Sequence, residues 1–278
     1  MTAITDALRI TGAADLARID PRSTPGFVGD KRAGQQALAD GAERLAALQE
    51  RLFASSTAGG DRAVLLLVQG MDTAGKGGIM RHVVGQVDPQ GVRIKAFKAP
   101  SPEEREHDFL WRIERELPAP GFIGVFDRSH YEDVLIHRVR GLSDSDVVEE
   151  RYGRIVEFER GIAGRGIALV KVMLHVSFEE QGRRLLERLD RPDKHWKFNP
   201  GDIDEREHWP AYMEAYEVAI ERTATEAAPW HVVPADRKWY ARLAVHELLV
   251  EALEGIDPRW PTADFDVAAE RERLLATG

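Results

Sequence analysis

Five apolar runs punctuate an otherwise polar chain: Ala63 to Gln69, Val92 to Lys98, Phe122 to Asp127, Ala168 to Val176 and Trp230 to Val233. Each is short, as expected of strands covered on both faces. The segments between them carry apolar residues at helical spacing, and this alternation predicts an α/β fold on a parallel five-stranded sheet. Ahead of the first strand, Lys31 to Phe53 places Leu38, Leu45, Leu48 and Leu52 on a helical stripe. Residues 1–60 therefore read as a helical extension packed outside the sheet or at a subunit interface. Asp236 to Leu253 reads as a closing helix, and the tail from Trp260-Pro261 as a short helix packing back. The expected organisation is 1–60 extension, 61–255 core and 256–278 tail.

Composition narrows the chemistry. With 278 residues the chain can bury one large α/β core. It contains no cysteine, which removes disulfides, thiolate catalysis and thiolate metal sites. A formal net charge of -9 argues against a general nucleic-acid binder, so any polyanion must find a local basic groove. No run is long and apolar enough to span a bilayer and no leader pattern opens the chain, so no membrane partner is expected and the cytoplasm is the expected location.

The strongest chemical signal follows the first apolar run. Gly70-Met71-Asp72-Thr73-Ala74-Gly75-Lys76-Gly77 satisfies the G-x-x-x-x-G-K spacing of a phosphate-binding loop. In such a loop the backbone amides and a helix N-terminus surround an anion while the lysine reaches in. Thr73, Ala74, Gly75 and Gly77 are the amide candidates and Lys76 the cation. The next position, where Ser or Thr usually serves magnesium, is Gly77, so another hard oxygen ligand is required. Asp72 is the obvious candidate, as a ligand or as a hydrogen-bond acceptor. A plain glycine turn between strand and helix is the competing reading.

Asp127 ends the third run, and an acidic residue at the carboxyl end of a parallel strand stands where open α/β sheets bind ligands. Arg128 follows, a guanidinium suited to forking onto phosphoryl oxygens. After the fourth run, Arg183, Arg184, Arg188, Arg191, Lys194 and Lys197 form a basic helix entering a Pro-interrupted connection, which suits a mobile lid at about 183–206. A solvated charged face is the plainer account of such a run. On and after the second run, Arg93 and Lys95 fringe the sheet while Lys98 reaches its carboxyl end. The scattered His82, His107, His130 and His137 read as packing or surface residues, and Trp196, Trp209, Trp230 and Trp239 as core or interface.

Taken together, GMDTAGKGG, the phrase FKAPSPEE from Phe97, the run HDFLWR from His107, FDRSHYEDV from Phe126 and ERLDRPDKHWKFNPGDIDER from Glu187 resemble the polyphosphate kinase 2 family over about Asp61 to Leu253. The resemblance implies a P-loop kinase-like three-layer α/β/α fold with a helical lid, and reversible, magnesium-dependent phosphoryl transfer between inorganic polyphosphate and a nucleotide. By motif position, Asp72 and Asp127 would hold the metal, Lys76 and Arg128 would clamp phosphate, and Arg188, Arg191 and Lys194 would form the lid. It further implies adenine and also guanine nucleotides as partners, a homodimer or homotetramer, and the subgroup that accepts nucleoside mono- and diphosphates. Members of that subgroup often carry Asn where this chain has Asp127.

The chemistry fits on its own terms. A phosphate acceptor is already anionic, so catalysis reduces to alignment and charge neutralisation. Lys98, Arg183, Arg184 and Lys197 could line a channel for a long polyanion. Two other readings remain open from sequence: an ATP-dependent nucleotide or nucleoside kinase, and a non-enzymatic nucleotide-binding protein.

Overall fold

The structure, a computed structural model, describes residues 2–278. It opens with α1 (Ala3–Leu8), capped by Thr2, and a two-residue strand β1 (Arg9–Ile10). Helices α2 (Lys31–Asp40) and α3 (Ala42–Thr57) precede β2 (Ala63–Gln69), α4 (Lys76–His82) and β3 (Val92–Ala96). Short helices α5 (Pro102–Arg105) and α6 (Trp111–Glu114) lead to β4 (Ile123–Asp127). Then come α7 (Ile136–Val139), α8 (Ser145–Gly164) and β5 (Ile167–His175), followed by α9 (Phe178–Asp190), α10 (Gly201–Glu207) and α11 (Trp209–Thr223). Strand β6 (Trp230–Pro234), α12 (Lys238–Ile256) and α13 (Val267–Leu275) complete the chain.

All of β2 is buried, which is why its sequence shows no polar alternation. It lies between β4 and β5, parallel to both, with Val68 level with Asp127 on one side and Val172 on the other. The strand order is β1-β6-β5-β2-β4-β3. The wholly parallel, five-stranded sheet expected from sequence needs correction: β1 adds a sixth strand, antiparallel to β6, with Arg9 opposite His231 and Ile10 opposite Trp230. The free edge of β6 recruits it, and so the sheet is mixed.

Helices cover both faces. One group gathers on α12, which packs on β2, β5 and β6 and carries α1, α2, α3 and α4; the other is α8 on β5 with α7 and α11. The expected single helix over Lys31 to Phe53 is two, divided at Gly41. A Cβ on Gly41 would stand 2.4 Å from Nε2 of His246, and one on Gly34 would stand 2.3 Å from the Trp239 ring. Both glycines therefore mark places where the pair presses too closely on α12 for a side chain. The tail forms its helix, yet every residue from Arg259 to Gly278 is exposed, so it does not pack back as expected.

Between β5 and α8 lies a buried ion pair. Lys171 Nζ donates to Glu159 Oε2 at 2.6 Å, to the Tyr131 hydroxyl at 3.1 Å and to the Thr223 carbonyl at 2.9 Å. The cluster ties β5, α8, α11 and the turn after β4 together. Among the described residues no helix is long and apolar enough to cross a membrane.

Candidate active site

The chain leaves β2 towards β3 on one side of the sheet and leaves β4 towards β5 on the other, which opens a crevice at their carboxyl ends. A cleft of about 760 Å³ occupies it. The whole loop from Asp72 to Gly77 faces this cleft, with Lys98, Asp127 and Arg128 contributed from the β3 and β4 side.

Local backbone geometry is unusual on both of these loops. Gly75 has a φ of 126°, a region closed to other residues, whereas Thr73 (φ 62°) and Arg128 (φ 65°) turn left-handed without being glycine. Such residues cost on the order of 1–3 kcal/mol each and persist where surrounding contacts over-determine them. For Arg128 one such contact is its own amide, which donates to the Val68 carbonyl at 3.1 Å.

The charges interlock. Arg128 Nη2 donates to Asp72 Oδ1 at 2.8 Å, and Lys76 Nζ folds back onto the Gly70 carbonyl at 2.8 Å. Burial alone would push the Asp72 carboxyl up, but Lys76, Arg128 and Arg188 outweigh it and hold the group below its ordinary value, hence ionised. Burial also opposes the charge on Arg128, and Glu132, Asp72 and Asp127 overcome it. Glu132 goes the other way: burial raises its carboxyl despite Arg128 and Lys76, while Gln69 Nε2 donates to it at 3.2 Å. At Gly77 an added Cβ would meet nothing within 4 Å, so steric demand does not explain the missing hydroxyl.

The basic segment after β5 divides into three roles. Arg188, Lys194 and Lys197 line the cleft. Arg184 also borders it but is only 4 % exposed and fully engaged: it donates to the carbonyls of Thr73, Ala74, Ala235 and Asp236 at 2.6–3.0 Å. It braces the loop rather than offering a free fork to substrate. Arg183 and Arg191 are not brought to the cleft. Arg183 turns outward to Glu180 and Glu187, and Arg191 to Asp193 and Glu187. Arg93 and Lys95 stay away as well, stacked on Phe122 and paired with Glu116 respectively. Trp196, expected in core or interface, is 78 % exposed at the cleft mouth with Lys197 over its ring.

Sequence reasoning missed Arg81 on α4 and Lys238 and Arg242 on α12, all of which line the cleft. Burial and the nearby Arg184 and Arg183 lower Lys238, Glu187 notwithstanding, and burial with Arg81 and Arg184 lowers Arg242. The signal was present: Lys238 and Arg242 are four apart on the closing helix and so share a face.

Comparison with known proteins gives a consistent result. Residues 29–260 match the family model for polyphosphate kinase 2. An AMP/ADP-polyphosphate phosphotransferase of Meiothermus ruber is 46% identical over 250 residues, spanning 90% of this chain and 92% of that protein. An ADP-polyphosphate phosphotransferase of Rhodopseudomonas palustris is 41% identical over 270 residues, 93% and 89% of the two chains. The crystal structure of polyphosphate kinase 2 from Arthrobacter aurescens TC1 superposes with a TM-score of 0.96 at 55% identity, covering 99% of this chain and 97% of that one. The loop, the strand-end acid and the basic cleft are thus those of a member of the polyphosphate kinase 2 family, to which this chain belongs.

Proposed function

We propose that the protein transfers the terminal phosphoryl group of inorganic polyphosphate to ADP, and also to AMP, reversibly. The observation that carries this reading is a phosphate-cradling loop set between two groups of cations. Lys98 and Arg128 stand on the β3 and β4 side, while Arg81, Lys238 and Arg242 come from α4 and α12 on the other. Two anionic chains can then meet end to end over the loop. Strand order, loop and two-sided helices support a P-loop kinase-like scaffold for the core at 61–255.

In the transfer, an oxygen of the nucleotide's terminal phosphate forms the new P–O bond. The bond to the penultimate polyphosphate unit breaks, and the shortened chain leaves with the electron pair. No proton need be removed from the acceptor, so the protein's contribution is alignment and charge. Arg128 is held cationic and pinned by Asp72, so it meets phosphoryl oxygens already oriented. Lys76 exchanges its carbonyl contacts for phosphate oxygens. Arg188, Lys194 and Lys197 close over the acceptor and exclude water.

Magnesium fits the donor set. Among the described residues no three His, Cys, Asp or Glu gather into a metal cage. Magnesium asks for less, since one or two carboxylates suffice when water and phosphate complete the shell. Asp72 and Asp127, both on the cleft, are the residues that would hold it, and it would neutralise charge shared between donor and acceptor phosphates.

The test is a magnesium-dependent assay of purified protein with polyphosphate and AMP or ADP and no ATP, followed by chromatography of the nucleotides. ADP and ATP from AMP support the reading in full, and ATP from ADP alone restricts it to diphosphates. Product only after ATP is supplied would replace it with an ATP-dependent kinase.

A further inference from the structure

The wall that Lys238 and Arg242 present to the cleft has a second side. A groove of about 330 Å³ adjoins it, lined by Lys31 of α2, Arg183 of α9 and Arg237 at the start of α12, together with Lys238 and Arg242 themselves. The same two side chains therefore border both spaces.

Two carboxylates also face the groove, and both are already satisfied. Glu180 accepts from Arg183 and Arg184 at 2.6–2.7 Å. Asp236 accepts from the Ser177 amide and hydroxyl at 2.8 Å each and lies 3.6 Å from Arg22. Among the described residues Lys31, Arg237, Lys238 and Arg242 make none of the close ion pairs that hold Arg183 and Arg184, and Lys238 feels Glu187 and Glu180 only through space. Lys31 and Lys238 begin their helices and Arg237 precedes one, and a cation there opposes the helix dipole by about 0.3–1 kcal/mol. Five cations against two carboxylates that are already engaged leave an excess of positive charge in the groove, which suits a mobile anion.

We propose that this groove is a subsite for the distal units of a polyphosphate chain, continuing the track from the cleft across Lys238 and Arg242 to Arg237 and Lys31. The inference rests on the polyphosphate reading above and adds chain-length preference to it. A long chain carries a negative charge on every unit and can span both spaces, whereas a short one ends inside the cleft.

The test is the double variant Lys31→Gln/Arg237→Gln, which touches neither the loop nor the cleft. Initial rates are taken with ADP and either long-chain polyphosphate or tetraphosphate as donor, and direct binding of fluorescently labelled long-chain polyphosphate is measured alongside. The expected result is a KM for the long chain raised about fivefold with a shallower salt dependence, while kcat and the KM values for ADP and tetraphosphate stay unchanged. An unchanged long-chain KM, or an equal rise for both donors, overturns the proposal. If the wild type transfers from neither donor, the reaction itself has been misread, and binding then decides the groove. Weaker binding of the long chain to the variant supports the subsite, and undiminished binding overturns it. Single-stranded DNA competing as well as polyphosphate would overturn the choice of ligand.

Discussion

Arg128 Nη2 stands 2.8 Å from Asp72 Oδ1, so an ion pair joins the loop after β4 to the loop after β2 across the crevice where transfer is proposed. The two side chains are 38 % and 25 % exposed, and a pair so hydrated adds little to folding. Asp72→Asn and Arg128→Lys should each keep the melting temperature within about 3 °C while lowering kcat about a hundredfold or more. Thermal melts and steady-state kinetics check this, and activity within threefold of wild type would remove both residues from the mechanism.

Arg184 predicts the opposite balance. Its four backbone acceptors lie on the phosphate loop and at the end of β6, and truncation strands buried carbonyls. Arg184→Met should cost about 3 kcal/mol or more of stability in urea denaturation, with kcat falling because the loop loses its brace. A variant as stable as wild type would show that the carbonyls find other partners.

Gly77 offers a test by addition. Gly77→Ser adds a side chain into open space in the first turn of α4, so the protein should fold with stability equal to or slightly above wild type. A drop of about 1 kcal/mol or more would mean that this turn needs glycine for its backbone.

Glu180 sets an acid limb. Burial opposes its ionisation, but Arg183 and Arg184 bring the carboxyl down from 4.5 to about 2. A depressed carboxyl contributes stability that is present above its unfolded value and is lost as pH falls through the folded one. Glu180→Gln should therefore be less stable than wild type at neutral pH, with the difference narrowing between pH 4.5 and about 2. Denaturation curves at several pH values measure the gap, and a gap constant with pH would refute the assignment.

Much of this was legible in the residues. Strands β2, β4, β5 and β6 announced themselves because buried strands are mostly apolar, and β2 begins and ends where its run does; β3, an edge strand carrying Arg93 and Lys95, showed as a run only through Val92, Ile94 and Ala96. Strand β1 was not legible, since two residues carry no periodicity and only the edge of β6 makes them a strand. The break at Gly41 was hidden because its reason is His246, some two hundred residues away. In the site, the loop and the strand-end acid were read from spacing. The lid arginines looked alike in sequence but differ in direction, and only packing shows Arg184 turned inward and Arg183 outward.

The inward turn of Arg184 divides α9 into an anchored half and a half that faces the cleft. The first half of α9 is bolted down: Ser177 is held by Asp236, the Gln181 carbonyl takes the Thr73 hydroxyl at 3.4 Å, and Arg184 grips the loop. Past that point Arg188 hydrogen-bonds to the Lys197 carbonyl and Asp202, within the basic segment itself. Beyond Arg184 the segment returns to the start of α9 through Arg206, which donates to the Phe178 carbonyl at 2.7 Å and to Gln181 Oε1 at 2.5 Å. One side chain thus braces the phosphate loop and, in the same contacts, fastens the helix from which the basic segment extends.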